Sequence, residues 1–546
     1  MTTKLEDSKI SNIQKPQIFF KSITFNDNTK LLLKHSSIVV FTGANNSGKS
    51  QVLKDVEHCL DKSYQISTIV IKNYECDYDG KIHEPAFFNK YFHLNEQGQY
   101  QLFGSYNSFD LNTLQNWWKN HTLYNGIHML FVKRLDTSNR LITSNALNRN
   151  DQPEKSPIYK LYKSESLAQK VSDYFRQAFK VDLIVNRNEM HTIPLHIGQA
   201  PNKSNFTIDR QDDYYRQVDL LPQLQEQGDG MRSFASILLD TFTSDSTITL
   251  IDEPEAFLHP PQARILGKMI TENNPDNRQL LISTHSEDFL QGLLDADNEN
   301  VTVIRIERMD RVNKMNILQN DKIKKLWSNP ILRYSNILSG LFHEKVVVCE
   351  SDYDCLFYQA IMNAIYEHKK EIAPDILFTH CGGKTRIKDI VIALKAVNVP
   401  VVAICDFDLL NAKENFRRIL ASFGLDWDTN TTLSTNMEII YDSMNAKNST
   451  GINAWSQIKK IGKSGFTGKE VAAYEEVEAV CKSIGLFIVP VGEMECFDKT
   501  IPKEKKRWIY SVLENYNLEV EEKLEDARKF VQEIIDYRSS TNIDLI

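Results

Sequence analysis

Hydrophobic positions along this chain fall into short solid runs, each ending in polar or acidic residues. The clearest are Ile38-Val39-Val40-Phe41, Thr247-Ile248-Thr249-Leu250-Ile251 and Leu280-Leu281-Ile282-Ser283-Thr284. A second set is Lys345-Val346-Val347-Val348-Cys349, Pro400-Val401-Val402-Ala403-Ile404-Cys405 and Leu486-Phe487-Ile488-Val489-Pro490-Val491. Solid apolar runs of this length predict strands buried on both faces. Helical patterns follow them, as at Gln51–Leu60 and where Leu356, Phe357, Ala360 and Ile361 share one face. Strand-then-helix alternation in two groups, about residues 36–290 and 343–497, predicts two α/β domains with mostly parallel sheets. The polar, helical-looking segment Asp321–Leu341 separates them. The boundary is placed at Gly340, giving domains 1–340 and 341–546. Between Tyr74 and Gln227 the pattern is less regular, which predicts an insertion in the first domain at about 75–220. Trp117-Trp118 within it reads as core or dimer contact, and the amphipathic Leu513–Tyr537 reads as helices.

Composition narrows the class. The chain has 546 residues, 41% hydrophobic and 10% aromatic, which excludes a wholly disordered or fibrous protein. No apolar run approaches the roughly 18–20 residues that span a bilayer, and residues 1–16 lack the apolar segment of a secretory signal. The eight cysteines are scattered, with no CxxC pair. The expectation is a reduced, cytoplasmic protein with no membrane association, no disulfide scaffold and no cysteine-based zinc site. A net charge of −8 argues against a histone-like binder but leaves room for a local basic groove on DNA.

The first strand runs into Gly43-Ala44-Asn45-Asn46-Ser47-Gly48-Lys49-Ser50, which fits the phosphate-binding pattern GxxxxGK[ST] without a mismatch. Glycines let backbone N–H groups curl around phosphate oxygens, Lys49 reaches the outer phosphates, and Ser50 offers its hydroxyl to Mg²⁺. The second strand delivers Asp252-Glu253-Pro254-Glu255, with Asp252 assigned to Mg²⁺ and Glu253 to the attacking water. His285 follows the third strand and is assigned a γ-phosphate contact. In the second domain, Glu350-Ser351-Asp352-Tyr353-Asp354 ends one strand and Asp406-Phe407-Asp408 another. If the chain stays extended, alternation puts Asp406 and Asp408 on one side. Carboxylates converging at one sheet edge need a hard cation, and all-oxygen ligands suit Mg²⁺ or Mn²⁺.

Gly43–Ser50, then Gly228-Asp229-Gly230-Met231-Arg232-Ser233, Asp252-Glu253-Pro254-Glu255 with His259-Pro260, and Ser283-Thr284-His285-Ser286, in that order, resemble the ABC-type ATPases of DNA repair and SMC-like proteins. The resemblance implies ATP sandwiched between two heads, with Gly228 standing where a signature serine is usual. Glu350 followed by Asp406-x-Asp408 resembles the Toprim domain, with Ser351 in place of the usual glycine. Asp354 sits where the nuclease branch carries an additional acid. Gly492-Glu493-Met494-Glu495 resembles that branch's late motif, where a glutamate serves a second metal; Glu495 is preferred over Glu493. Lys499 and Lys503 are candidates for an expected lysine.

An ABC-type ATPase followed by Toprim resembles the OLD (overcoming lysogenisation defect) nucleases, the Gabija-type nuclease subunit and OLD-like retron effectors. This implies an ATP-regulated DNA endonuclease in bacterial anti-phage defence, cutting phosphodiester bonds with two divalent metals, Mg²⁺ or Mn²⁺. Implied partners are DNA, a second head in a homodimer or dimer of dimers, and a defence-system partner such as a helicase or a reverse transcriptase with its RNA–DNA product. Rival readings are a non-catalytic SMC-type clamp and a toxin-like effector held inactive by a partner. A topoisomerase would need a tyrosine-bearing cleavage domain, and a primase a zinc module; the sequence offers neither. The run Lys503-Glu504-Lys505-Lys506-Arg507 reads as a solvated helix face sooner than a DNA contact. Lys384 and Arg386, after Gly382-Gly383, mark a phosphate contact or only a turn.

Overall fold

The computed structural model describes residues 16–63, 67–102, 107–149, 156–201, 211–309, 312–318, 338–448 and 454–538. Residues 1–15, and most of the segment expected to be a polar helix between the domains (321–337), lie outside the described residues. The chain divides into two units, Met1–Asn320 and Asp321–Ile546.

The first unit is built on a six-stranded sheet. Its spatial order is Val312–Leu318, Val301–Met309, Ile38–Thr42, Gln279–Ser283, Ile248–Asp252 and Val132–Leu135. All neighbours are parallel except the edge pair 301–309 with 312–318. Every residue of Ile38–Thr42 and of Gln279–Ser283 is buried, as continuous apolar runs in a covered parallel sheet require. A separate antiparallel sheet pairs Gln17–Phe25 with Lys30–Leu32 and with Ile71–Asp79. The irregular stretch is not wholly peripheral, because Val132–Leu135 forms the outer strand of the main sheet, beside Ile248–Asp252. Its short length and polar Lys133 and Arg134 hid it from the apolar-run pattern. Trp118 packs against the core and donates its indole N–H to the Gly80 carbonyl at 3.1 Å, so it is core.

The second unit holds a four-stranded parallel sheet, ordered Ile376–His380, Lys345–Cys349, Val401–Cys405, Leu486–Ile488. The last strand is shorter than the apolar run predicts, because Pro490 has no N–H to pair and Gly492 turns at a φ of 117°. The helix Asp352–Lys369 buries Phe357, Tyr358, Ile361 and Ile365, while Leu356 is exposed, so the apolar face is rotated from the one expected. The tail forms helices Lys505–Asn515 and Glu525–Asp536, whose Trp508, Ile509, Phe530 and Val531 join the same core. All eight cysteines are free. Among the described residues, no helix is long and apolar enough to cross a membrane.

Candidate nucleotide and metal sites

The strands carrying the first site end level with one another. Asp252 aligns with Ser283, and Ser283 with Phe41 just ahead of the glycine-rich loop. Gly43 turns at a φ of 140°, and a Cβ there would lie 2.3 Å from the Ile306 carbonyl oxygen. Gly48, at a φ of 105°, swings the chain directly into the helix Lys49–Leu60, two residues earlier than the sequence pattern indicates. Lys49 is buried and donates to the loop's own Gly43 and Ala44 carbonyls at 2.7 and 2.8 Å. Asn45, Asn46 and Ser47 form the loop crest, braced where Asn313 donates to the Ser47 carbonyl at 2.6 Å.

Ser50 donates to Asp252 Oδ1 at 2.8 Å, and Ser283 also bonds that oxygen. The two residues assigned to Mg²⁺ are therefore in direct contact. Glu253 Oε1 lies 3.3 Å from His285 Nε2. Burial, helped by the nearby Lys49 charge, lowers the His285 pKa and favours its neutral form. Glu255, by contrast, is half-buried and accepts from the His285 N–H and the Thr284 hydroxyl, so it braces the turn. Arg140, which sequence reasoning missed, is fully buried and donates to the Asp252 and Glu253 carbonyls at 3.1 and 3.0 Å. It holds Glu253 at a positive φ of 48°. Gly228 caps the helix Asp229–Thr243 in an exposed position with open space around it.

The second site lies where the strand order of the four-stranded sheet reverses. From Lys345–Cys349 the chain adds Ile376–His380 on one side and Val401–Cys405 on the other. Open α/β sheets bind ligands at such a point, beyond the carboxyl ends of the strands. Glu350 and Asp406 meet there, with the Asp406 N–H donating to Glu350 Oε1 at 3.1 Å. The pKa of Glu350 is raised chiefly by burial, with the neighbouring Asp408 and Asp354 charges adding to it. That of Asp406 is raised well above the ordinary range by burial and then by Glu350 and Asp354.

The expected extended Asp-x-Asp does not form. Strand pairing ends at Cys405, and Phe407–Asn411 turn as a 3-10 helix. Asp408 consequently faces Lys384 and Lys459 at 3.0 and 3.2 Å. Burial alone would raise its pKa, and these two ammonium groups outweigh burial and lower it. Its Oδ1 is buried with no hydrogen-bond partner among the described residues.

Asp354 caps the helix Asp352–Lys369 through Ser351 and pairs with Lys505 at 2.9 Å. Lys505 also acts on Asp406 and Glu495, so it stands among the acids. The basic run at 503–507 is therefore not simply a solvated face. Its first turn packs Trp508 into the core, which carries Lys505 inward. Glu495 is buried, which raises its pKa, and it senses Asp354 and Lys505. Glu493 instead pairs with Lys503 at 3.1 Å and Lys459 at 3.7 Å. Lys384 sits just after Gly382-Gly383, both at positive φ, so the turn exists and serves to aim the lysine at Asp408. An oxygen-only donor set, with a buried Asp408 oxygen that no described residue bonds, suits a hard divalent cation in kind, although among the described residues no three of these acids bring their oxygens within 4.8 Å of one another.

Two family models match separate parts of the chain. Residues 131–290 match the AAA domain family described with AbiEii toxin and type IV TA systems. Residues 341–408 match the Toprim domain of overcoming-lysogenization-defect-like proteins. The chain pairs an ATPase domain with an OLD-like Toprim domain. Both are α/β, and such domains imply use of a nucleotide and a divalent metal. A curated relative, the OLD nuclease of Thermus scotoductus, is 26% identical over 245 residues, covering 41% of this chain and 43% of that protein. The match thus spans under half of the relative's length. Among solved structures, an SMC head bound to the C-terminal winged-helix domain of ScpA superposes with a TM-score of 0.35 at 13% identity, over 56% of this chain and 99% of that one. The SMC head of Thermotoga maritima gives 0.29 at 10% identity, over 55% and 97%. Such superpositions are too loose to bear on function.

Proposed function

We propose that this protein is an ATP-regulated, divalent-metal-dependent DNA endonuclease of the OLD type, acting in bacterial anti-phage defence. The observation that carries the reading is the meeting of Glu350 and Asp406 at the switch point of an OLD-like Toprim sheet. Glu350, Asp406 and Asp408 would hold one Mg²⁺ or Mn²⁺, and Asp354 with Glu495 a second. Bound there, the ions supply an activated water and neutralise charge on the leaving oxygen of the phosphodiester. Lys384, Lys459, Lys503 and Lys505 ring these carboxylates and offer ammonium groups to DNA phosphates. In the ATPase unit, Lys49 and the loop amides take the phosphates, Ser50 and Asp252 the metal, Glu253 the water and His285 the γ-phosphate. The exposed Gly228 loop is available to a second head, which supports ATP-dependent assembly as a homodimer or dimer of dimers.

The test is nicking of supercoiled plasmid in Mg²⁺ or Mn²⁺. Glu350→Ala and Asp406→Ala should each lose roughly 10²–10³-fold in rate, the scale of removing an essential electrostatic contact to a transition state. ATP binding should persist in both. Wild-type nicking by the Glu350→Ala/Asp406→Ala double variant would overturn the assignment and leave the ATP-dependent clamp in its place.

A further inference from the structure

A second group of potential metal ligands lies in the first unit, among residues with no part in nucleotide binding. The hairpin Asp182–Val185 with Leu195–Gly198 packs through Ile184 on Tyr214, Tyr215 and Val218 of the helix Gln211–Asp219. Glu189 comes from the hairpin's connection, His196 from its second strand, and Asp219 from the end of the helix. One ring nitrogen of His196 and one carboxylate oxygen from each acid all lie within 4.8 Å of one another.

His196 supplies the decisive detail. It is only 2% exposed, and its Nε2 is buried with no hydrogen-bond partner among the described residues. Its Nδ1 faces the Leu221 carbonyl at 2.8 Å, an oxygen that can only accept. The proton therefore belongs on Nδ1, and Nε2 carries a lone pair. A backbone carbonyl on the other nitrogen is the usual outer partner of a metal-bound imidazole. The carboxylates are likewise oriented by neutral donors. The Thr192 hydroxyl bonds Glu189 Oε2 at 2.6 Å, and the buried Asn186 amide bonds Asp219 Oδ1 at 2.5 Å.

The geometry points to a zinc-class divalent cation bound by His196, Glu189 and Asp219. One imidazole with two carboxylates suits a borderline ion, since Mg²⁺ and Ca²⁺ prefer oxygen alone. Tetrahedral Zn²⁺ with ligands at about 2.0–2.2 Å sets its donors roughly 3.3–3.6 Å apart, so closure from separations of at most 4.8 Å takes side-chain shifts of about 1 Å or less. Three protein ligands leave one position for water. The site fastens the hairpin to the segment after Asp219, where the Ile197 N–H also meets the Pro222 carbonyl at 3.0 Å and His196 pairs with Gln223. That segment leads directly to Gly228. Zinc here is a staple on the approach to the loop, whatever the second unit does.

The experiment counts zinc by plasma mass spectrometry on the full chain, stripped with EDTA and reloaded with Zn²⁺. Asp219→Asn and His196→Gln should each hold one zinc per chain fewer than wild type; the Toprim acids contribute equally to all three and cancel. Co²⁺ loading should give wild type a visible absorption band that Asp219→Asn lacks. Asp219 is exposed, so its variant keeps the test open if buried His196→Gln does not fold. Equal zinc and equal Co²⁺ spectra in wild type and Asp219→Asn would overturn the site. Failure of DNA cleavage would leave it untouched, because no readout uses cleavage.

Discussion

The two proposed sites use one construction and give it opposite charge. In each, short buried parallel strands deliver polar side chains to a sheet's carboxyl edge. At the first, the central strand delivers a loop of backbone N–H groups and a buried lysine, and Asp252 is satisfied by the neutral hydroxyls of Ser50 and Ser283. That edge is prepared for an anion carrying its own metal. At the second, the strands deliver Glu350 and Asp406 side by side, and lysines stand outside them. That edge is prepared for cations first and for phosphate beyond them. The residues just past a strand therefore decide the ligand, while the fold decides only where it binds.

The largest effect is expected at Glu253. Glu253→Gln should keep ATP binding but lower turnover roughly 10²-fold or more, as loss of a general base does; phosphate release is the measurement. Unchanged turnover would move the base elsewhere. Next, Lys49→Ala should weaken ATP by about 10²-fold in calorimetry, on the scale of losing a charged group from a desolvated contact. Mn²⁺ binding in the second unit should stay as in wild type, since its carboxylates all belong to that unit. A smaller effect tests the outer lysines. Lys505→Met removes the partner of buried Asp354 and one ammonium for phosphate, so nicking should fall about tenfold, worth 1.4 kcal/mol, with a shallower salt dependence.

The smallest effect separates charge pairing for stability from charge pairing for ligands. Asp245, outside both sites, has its pKa lowered to about 2: burial opposes ionisation, and Lys90 and Lys160 more than offset it. A depressed carboxylate stabilises above its unfolded value near 3.8, and that contribution is lost as pH falls through about 2. Asp245→Asn should cost about 1 kcal/mol at pH 7 after solvent screening, and the gap from wild type should narrow in thermal melts as pH falls from about 4 to about 2.

Legibility followed the range of the interactions. Gly43–Ser50 could be read because a tight phosphate loop constrains eight neighbouring residues at once. Glu350 and Asp406 could be read because each follows its own apolar run. Arg140 could not, because its partners are carbonyls of Asp252 and Glu253, far along the chain. Lys505 looked like part of an ordinary basic helix until its pairing with Asp354, 151 positions away, placed it among the acids. Glu189, His196 and Asp219 carry no spacing signal, since a hairpin and a helix must pack before they meet.

Two groups of buried parallel strands, a phosphate loop and acids at strand ends are written locally in the chain, because apolar runs, glycine turns and strand-end residues act over a few neighbouring positions. Folding sets Asp406 against Glu350 while Asp408 turns to Lys384 and Lys459. Folding likewise brings Val132–Leu135 into the main sheet and Lys505 beside Asp354. Strand order and the turn after Cys405 fix those meetings, and both are set by packing between segments far apart in sequence, which no local pattern encodes.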